Sequence, residues 1–169
     1  MTTYVAFLRA VNVGGRGNLK MEDLRGICVG AGLTDARTYI QSGNVVFSSE
    51  RSERSLVLEL QRLIGDQMAR AVGVLIRTAE ELRDILDGNP FPDADPSLVG
   101  VWFLPKALPE RLLTALALGG PEDVRMIGRE IYVHYPDGIG RSKIKIPFAA
   151  DGTTRNLNTV EALVEMAEG

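Results

Sequence analysis

The chain of 169 residues carries 19 basic and 22 acidic side chains, a net charge of −3 and a hydrophobic fraction of 45%. This composition excludes a disordered chain, and the net negative charge argues against a nucleic-acid partner. A single cysteine excludes an internal disulfide, and no apolar run is long enough for a membrane span. The sequence therefore predicts a cytoplasmic protein that does not enter a membrane.

The hydrophobic pattern of residues 3–78 predicts the element order β-α-β-β-α-β. Strands are indicated in TYVAFLRA, ARTYIQ, VVFSS and VGVLIRT, and apolar residues recur at helical spacing over 21–31 and 52–70. Gly32 suits a left-handed stop of the first helix. This order is that of a ferredoxin-like unit. A connector helix and a Pro/Asp-rich loop are predicted over residues 79–96.

Residues 97–169 are predicted to repeat this order without its last strand. LVGVWFL, EDVRMIG and REIYVHY indicate strands, and LPERLLTALALGG indicates a helix with Gly119 at its stop. A final helix is expected near Asn158, with Asn158 as its cap. The sequence thus predicts an α+β protein of duplicated ferredoxin-like units, with helices packed on antiparallel sheets and both units in one compact globule.

A loop rich in Gly and Asn, NVGGRGNLK, follows the first strand, and the turn QSGN joins the second strand to the third. In a ferredoxin-like sheet both segments lie at one end, beside the start of the first helix. Glycine admits close backbone approach, and a helix N-terminus with basic neighbours favours an anion. The alternative is an ordinary turn capped by Asn18. The predicted ligand-binding residues are Arg9, Asn12, Gly14, Gly15, Lys20, Gln41, Ser42 and Asn44.

A second basic segment, GIGRSKIK, follows the last predicted strand, with no acid near it in the sequence. A further basic and amide pair precedes the final helix, whose N-terminus would again favour an anion. The alternative is a solvated loop followed by a well-capped helix. The predicted ligand-binding residues of this second cluster are Arg141, Ser142, Lys143, Arg155 and Asn156.

Five segments in order, FLRAVNVGG, KMEDLR, RTYIQSGNVVF, IYVHYPDGIGRSK and TRNLNTV, resemble an uncharacterised bacterial family, domain of unknown function 1697. The resemblance covers residues 4–166. It implies two ferredoxin-like halves and no established activity. Many members have a longer helical stretch after GRSK and a Trp where this chain has Leu157.

Three functional classes remain open. The leading hypothesis is a protein that binds a small anionic, phosphate-bearing ligand without a cofactor. The second is an enzyme that uses the same pocket, with His134 or Lys143 as acid or base. The third is an RNA-binding ferredoxin-like module that presents Tyr39 and Tyr132. One histidine and one cysteine, Cys28 on the apolar stripe of the first helix, exclude a zinc site of the usual ligands. Nothing in the sequence indicates an oligomeric state.

Overall fold

The computed structural model describes residues 1–11, 19–39, 43–116 and 120–169. These residues form a mixed α+β protein with two four-stranded antiparallel sheets and five α-helices. They divide into two compact units, Met1–Arg83 with Leu163–Gly169, and Asp84–Ala162. Within the described ranges, no helix combines the length and hydropathy needed to cross a membrane.

Sheet one has the strand order β2-β3-β1-β4. β1 pairs antiparallel with β3 and β4, and β3 pairs antiparallel with β2, so β1 and β2 run parallel with β3 between them. Every element predicted for residues 3–78 is present, and the connector helix follows. The elements are β1 (Thr2–Leu8), α1 (Met21–Gly30), β2 (Thr34–Thr38), β3 (Asn44–Ser49), α2 (Glu53–Met68), β4 (Val74–Thr78) and α3 (Ala79–Asp87).

Strand β1, one of the two inner strands of sheet one, is buried on both faces. Ala6 lies on the face that shares a core with Leu24 of α1 and Leu60 of α2. Val5 and Phe7, which alternate with Ala6 and point the other way, are also 0% exposed. This double burial explains the unbroken apolar run of residues 4–8 within β1.

Local backbone signals set the ends of α1 and α2. The Ser52 side chain accepts a hydrogen bond from the Ser55 N–H at 3.2 Å, which caps α2. Ala69 ends α2 in a left-handed conformation with φ of 54°. Gly32, with φ of 79°, follows the end of α1, which confirms the predicted stop.

The edge strand β2 is irregular. Its pairing with β3 shifts register between Thr34 and Arg37. Asp35, inside this shift, has a left-handed φ of 54°, and its carboxylate lies 3.5 Å from the Arg37 guanidinium. The extra residue makes a bulge at the outer edge of the sheet.

Sheet two has the strand order β6-β7-β5-β8. The prediction that its last strand is missing was wrong, because β8 pairs antiparallel with β5. Two short 3₁₀ turns, Ile139–Arg141 and Pro147–Ala149, lie between β7 and β8. The elements are β5 (Val99–Phe103), α4 (Arg111–Thr114), β6 (Asp123–Ile127), β7 (Glu130–His134), β8 (Thr153–Asn156) and α5 (Leu157–Glu168).

The helix predicted from LPERLLTALALGG is much shorter than expected. α4 has 4 residues, and the predicted stop at Gly119 lies outside the described residues. The hairpin prediction for the next two strands is confirmed, since Gly128 takes a left-handed φ of 60° between β6 and β7. β7 buries both of its faces, with Ile131 and Tyr132 at 0% and 1% exposure.

Candidate functional site

The exit of β1 and the start of β3 meet at Gly43. The Leu8 N–H donates to the Gly43 carbonyl oxygen at 2.9 Å. Gly43 has φ of 86°, and a Cβ there would lie 2.5 Å from Val11 Cγ2 and 2.9 Å from Leu8 Cβ. No larger residue fits this contact without a backbone shift. The structure thus places the end of β1 and Val11 against Gly43, whereas most of NVGGRGNLK and QSGN lies outside the described residues.

Both ends of the glycine-rich loop are fixed in the core. Val11 and Leu19 are 1% and 2% exposed and belong to the same hydrophobic cluster. Between them lie residues 12–18, outside the described part of the chain. Five predicted ligand-binding residues likewise lie outside it, namely Asn12, Gly14, Gly15, Gln41 and Ser42.

Two arginines flank the β1 exit. The Arg9 N–H donates to the Gly73 carbonyl oxygen at 2.8 Å, and Arg9 Nε lies 3.3 Å from where a Cβ of Gly73 would stand. Arg70 Nη2 donates to the Ala10 carbonyl oxygen at 2.9 Å. Ala10 has a left-handed φ of 57°, so the chain turns sharply at the residue whose carbonyl oxygen Arg70 binds.

Arg70 was not among the residues predicted from the sequence. Its contact with Ala10 spans 60 positions of the chain, and it follows α2 without a motif of its own. No local pattern could have indicated this contact. The pairing of β1 with β4 places the Arg70 segment beside Arg9.

The start of α1 is less favourable for an anion than predicted. Lys20 is exposed at the N-cap position and makes no capping hydrogen bond with its side chain. The first turn carries two exposed acids, Glu22 and Asp23, which already complement the positive end of the helix dipole. Arg25 Nη1 donates to Thr38 Oγ1 at 2.7 Å, which joins this end of α1 to the end of β2.

Asn44 closes the turn between β2 and β3. Its side chain is 0% exposed, and its Nδ2 donates to the Tyr39 carbonyl oxygen at 3.0 Å. The Tyr39 N–H in turn donates to the Asn44 carbonyl oxygen at 3.0 Å. Asn44 therefore shapes the turn from inside the fold, whereas the prediction had placed its amide on a ligand.

The second predicted cluster contains an acid that the sequence analysis did not place there. Ser142 Oγ donates to Glu122 Oε1 at 2.7 Å and accepts from the Ile144 N–H at 3.2 Å. Arg141 and Lys143 are exposed on either side of Ser142. The acid comes from a distant part of the sequence, since Glu122 lies 20 positions before Ser142 and directly precedes β6.

Arg155 lies on the face of sheet two away from the cluster in which Ile139 and Ile144 of that loop pack beside Trp102. It lies opposite Val101 on β5, whereas its neighbour Thr154 lies opposite Trp102 and points to the other face. Arg155 Nη1 donates to Thr153 Oγ1 and to the Thr154 carbonyl oxygen, both at 2.8 Å. The side chain is 8% exposed, and burial lowers the pKa of its guanidinium to about 10.

Asn156 caps α5. Its Oδ1 accepts a hydrogen bond from the Thr159 N–H at 3.0 Å, and the helix begins at Leu157. The predicted cap, Asn158, lies inside the first turn and is exposed, so that prediction was wrong. Asn156 therefore has a structural role, since the first N–H groups of a helix need hydrogen-bond acceptors.

The groups proposed for acid–base chemistry lie in the second unit. The His134 ring packs against Phe91 with centroids 5.7 Å apart, and His134 lies opposite Asp123 on β6. Among the described residues its imidazole has no hydrogen-bond partner. Cys28 is 0% exposed as predicted, and burial raises the pKa of its thiol to about 11. Within the described ranges, no three potential ligands form a metal site.

The RNA-binding alternative named Tyr39 and Tyr132 as stacking surfaces, and of these Tyr132 is covered. Tyr132 is 1% exposed, and its hydroxyl donates to the Ile85 carbonyl oxygen at 2.7 Å. Burial raises the pKa of this phenol well above its ordinary value, with a smaller contribution from Glu130. A base cannot stack on a ring that is already covered.

An open groove along the start of α2 is lined by Arg51, Arg54 and Arg62. Arg62 forms an ion pair with Glu59 at 3.1 Å, and Arg51 Nη2 donates to Ser55 Oγ at 2.8 Å. These contacts engage two of the three guanidinium groups within the helix. We assign no ligand to this groove.

Comparison with known proteins supports the resemblance drawn from the sequence. The model of a family described as "Protein of unknown function (DUF1697)" matches residues 1–132. A search of curated proteins found no match. Among solved structures, the conserved bacterial protein SP0830 from Streptococcus pneumoniae is similar over 100% of this chain and 99% of that chain, with 22% identity and a TM-score of 0.81. At this identity the likeness shows the fold.

Proposed function

The chain belongs to the DUF1697 family of proteins of unknown function, and within that family we propose that it binds a small, phosphate-bearing anion where β1 leaves sheet one. The observation that carries the proposal is the pair of arginines at this point. Arg9 lies against Gly73, and Arg70 binds the Ala10 carbonyl oxygen. A third cation, Lys20, is exposed at the start of α1.

Binding is favoured over catalysis by the kind of groups that the described part of this site offers. Guanidinium and ammonium groups donate hydrogen bonds and carry positive charge, but at neutral pH they cannot accept a proton. Asn44, which could have polarised a substrate, is engaged with Tyr39. The site as described is suited to hold an anion in place.

The experiment is a thermal unfolding series with phosphate, sulfate and chloride at matched ionic strength. A specific anion at a hundredfold excess over its dissociation constant stabilises the native state by about 2.7 kcal/mol. Phosphate should therefore raise the Tm of the wild type more than chloride does. Arg9→Ala should reduce this rise, whereas Lys106→Ala, at an exposed position in the second unit, should not. An equal response to all three anions would remove the proposal.

We further infer that the two units are copies of one ferredoxin-like arrangement. The support is their common strand order, in which the first strand of each unit lies between its third and its fourth. Superposition of β1–β4 on β5–β8 in an experimental structure tests this. Failure of any of the first three strands of one unit to align with its counterpart in the other would contradict it.

A cytoplasmic location also belongs to the proposal. The one cysteine is buried and forms no disulfide, which suits a reducing compartment. Cell fractionation tests the location, and recovery of the protein outside the cytoplasmic fraction would contradict it.

A further inference from the structure

We propose that Arg70 binds the anion directly, and that Arg9 and Arg70 together select an oxyanion with at least two free oxygens, such as a phosphate group. This inference rests on the proposed function and adds a residue that no sequence motif indicates. It also moves the centre of the site away from the start of α1, to the side where β1 and β4 lie next to each other.

The backbone holds Arg70 in place before any ligand arrives. α2 ends at Met68, and the left-handed Ala69 turns the chain back toward the sheet. The Arg70 N–H donates to the Gly65 carbonyl oxygen at 3.2 Å, so the residue is fixed to the last turn of α2. Its side chain then reaches Ala10, where Nη2 donates at 2.9 Å.

The Ala10 contact orients the guanidinium and leaves part of it available. Arginine has five N–H donors in a planar fork, and this contact uses one of them. Among the described residues, the Arg70 guanidinium has no other hydrogen-bond partner. An oriented fork can donate two parallel hydrogen bonds to two oxygens of one phosphate. A halide ion offers no second acceptor atom, and a lysine ammonium group in place of the guanidinium lacks the planar fork.

The charged residues near the site also favour anion binding beside Arg9 and Arg70. Glu22 and Asp23 place negative charge at the first turn of α1, which repels an anion from that end. Arg9 and Arg70 come from two segments joined by the hydrogen bond between the Arg9 N–H and the Gly73 carbonyl oxygen. Two guanidinium groups on adjoining segments attract a dianion more strongly than either group would alone.

The test measures inorganic phosphate binding by titration calorimetry for the wild type, Arg70→Lys, Arg70→Met and a matched control, Arg54→Met. Arg54 is an exposed arginine of α2 in the same unit. We expect Arg70→Met to weaken binding at least tenfold, and Arg70→Lys to weaken it less while reducing the preference for phosphate over chloride. Arg54→Met should bind as the wild type does. The ligand-free Tm of each variant, measured by circular dichroism, identifies any loss of folding.

The outcomes separate this inference from the proposed function. A wild type that does not bind phosphate removes the proposed function, and the inference with it. A wild type that binds phosphate while folded Arg70→Met binds equally well overturns the inference alone. Equal weakening in Arg70→Met and Arg54→Met would mean nonspecific attraction by net charge, which also overturns it. If Arg70→Met does not fold, the test rests on Arg70→Lys. Unchanged phosphate affinity and an unchanged preference for phosphate over chloride in Arg70→Lys would overturn the inference.

Discussion

Arg77 and Arg155 occupy the same register position in two different sheets. Arg77 on β4 lies opposite Val5 of β1, and Arg155 on β8 lies opposite Val101 of β5. The two arginines are 1% and 8% exposed. Arginine is among the residues least often fully buried, so its recurrence at one position of each sheet is a specific feature that supports the proposed duplication.

The residue after each of these arginines caps the next helix. Thr78 Oγ1 accepts from the Glu81 N–H at 3.0 Å, and Glu81 Oε1 accepts from the Thr78 N–H at 2.9 Å. Asn156 accepts from the Thr159 N–H at the start of α5. A buried arginine followed by a capping residue therefore ends the last strand of both sheets, although the two sequences share little else.

Gly43→Ala should be the most damaging single methyl addition near the proposed site. The new Cβ would overlap Val11 and Leu8 and would also have to accept a φ of 86°. We expect a loss of about 2–4 kcal/mol in the free energy of unfolding from overpacking and backbone strain. Gly32→Ala is the matched control, because it shares a positive φ but has nothing within 4 Å of the new Cβ. Equal losses in urea denaturation would contradict the overlap.

Asn156→Ala should destabilise α5, and Asn158→Ala should not. Removal of a helix cap costs about 0.5–2 kcal/mol, and the acceptor of the Thr159 N–H is Asn156. Asn158 is exposed in the first turn, so its truncation should change the free energy of unfolding by less than about 0.5 kcal/mol. Chemical denaturation of both variants measures this, and the reverse order would restore the cap that the sequence indicated.

Two adjacent threonines should respond in opposite ways to replacement by valine. Thr153 Oγ1 accepts a hydrogen bond from Arg155, whereas the buried Thr154 Oγ1 has no partner among the described residues. Thr153→Val should cost about 1–3 kcal/mol, and Thr154→Val should be neutral or stabilising. The difference in Tm between the two variants checks this. A marked loss of stability in Thr154→Val would indicate that its hydroxyl has a partner, such as a bound water.

The buried thiol of Cys28 should make stability fall at high pH. Its pKa is raised from 9.0 to about 11 in the folded state. Below pH 9 the thiol is protonated in both the folded and the unfolded state. Between pH 9 and pH 11 the thiol ionises in the unfolded chain but not in the folded one, and this ionisation lowers the free energy of the unfolded state. The unfolding free energy should fall by about 2–3 kcal/mol as pH rises from 9 to 11 through this group, and Cys28→Ala should remove that part of the slope.

A labelling experiment gives an independent measure of the same burial. A thiol reagent should modify native Cys28 slowly, and the rate should increase on denaturation, because the thiolate is the reactive form. Fast stoichiometric labelling of the native protein would contradict the burial.

Elements whose cause is local could be predicted, and those that depend on distant partners could not. β1 contains a continuous apolar run and α2 has a helical hydrophobic period, so the sequence indicated both. β8 is the short, entirely polar stretch TTRN, and its burial comes from pairing with β5 about fifty positions earlier. The sequence around Asn158 has the pattern of a helix cap, but the residue that caps α5 is Asn156, because pairing with β5 sets where β8 ends.

The candidate site divides in the same way. Arg9 and the contact of the β1 exit with Gly43 followed from the order of the elements, since strand order fixes which segments share an end of a sheet. Arg70 reaches Ala10 across 60 positions, and no motif marks it. Asn44 has an ordinary turn sequence around it, and only the three-dimensional contact with Tyr39 shows that its amide is used within the fold.

The bulge at Asp35 affects how the protein behaves at high concentration. A regular edge strand presents a row of unpaired N–H and C=O groups to which another chain can add. The register shift between Thr34 and Arg37 interrupts that row at the β2 edge, and the charged pair within it disfavours an apolar neighbour. β6, at one edge of sheet two, pairs in continuous register and has no such interruption. Of these two edges, β6 rather than β2 should therefore favour fibril-like association of native molecules, and Asp123 and Arg125 are the charges of β6 that oppose it.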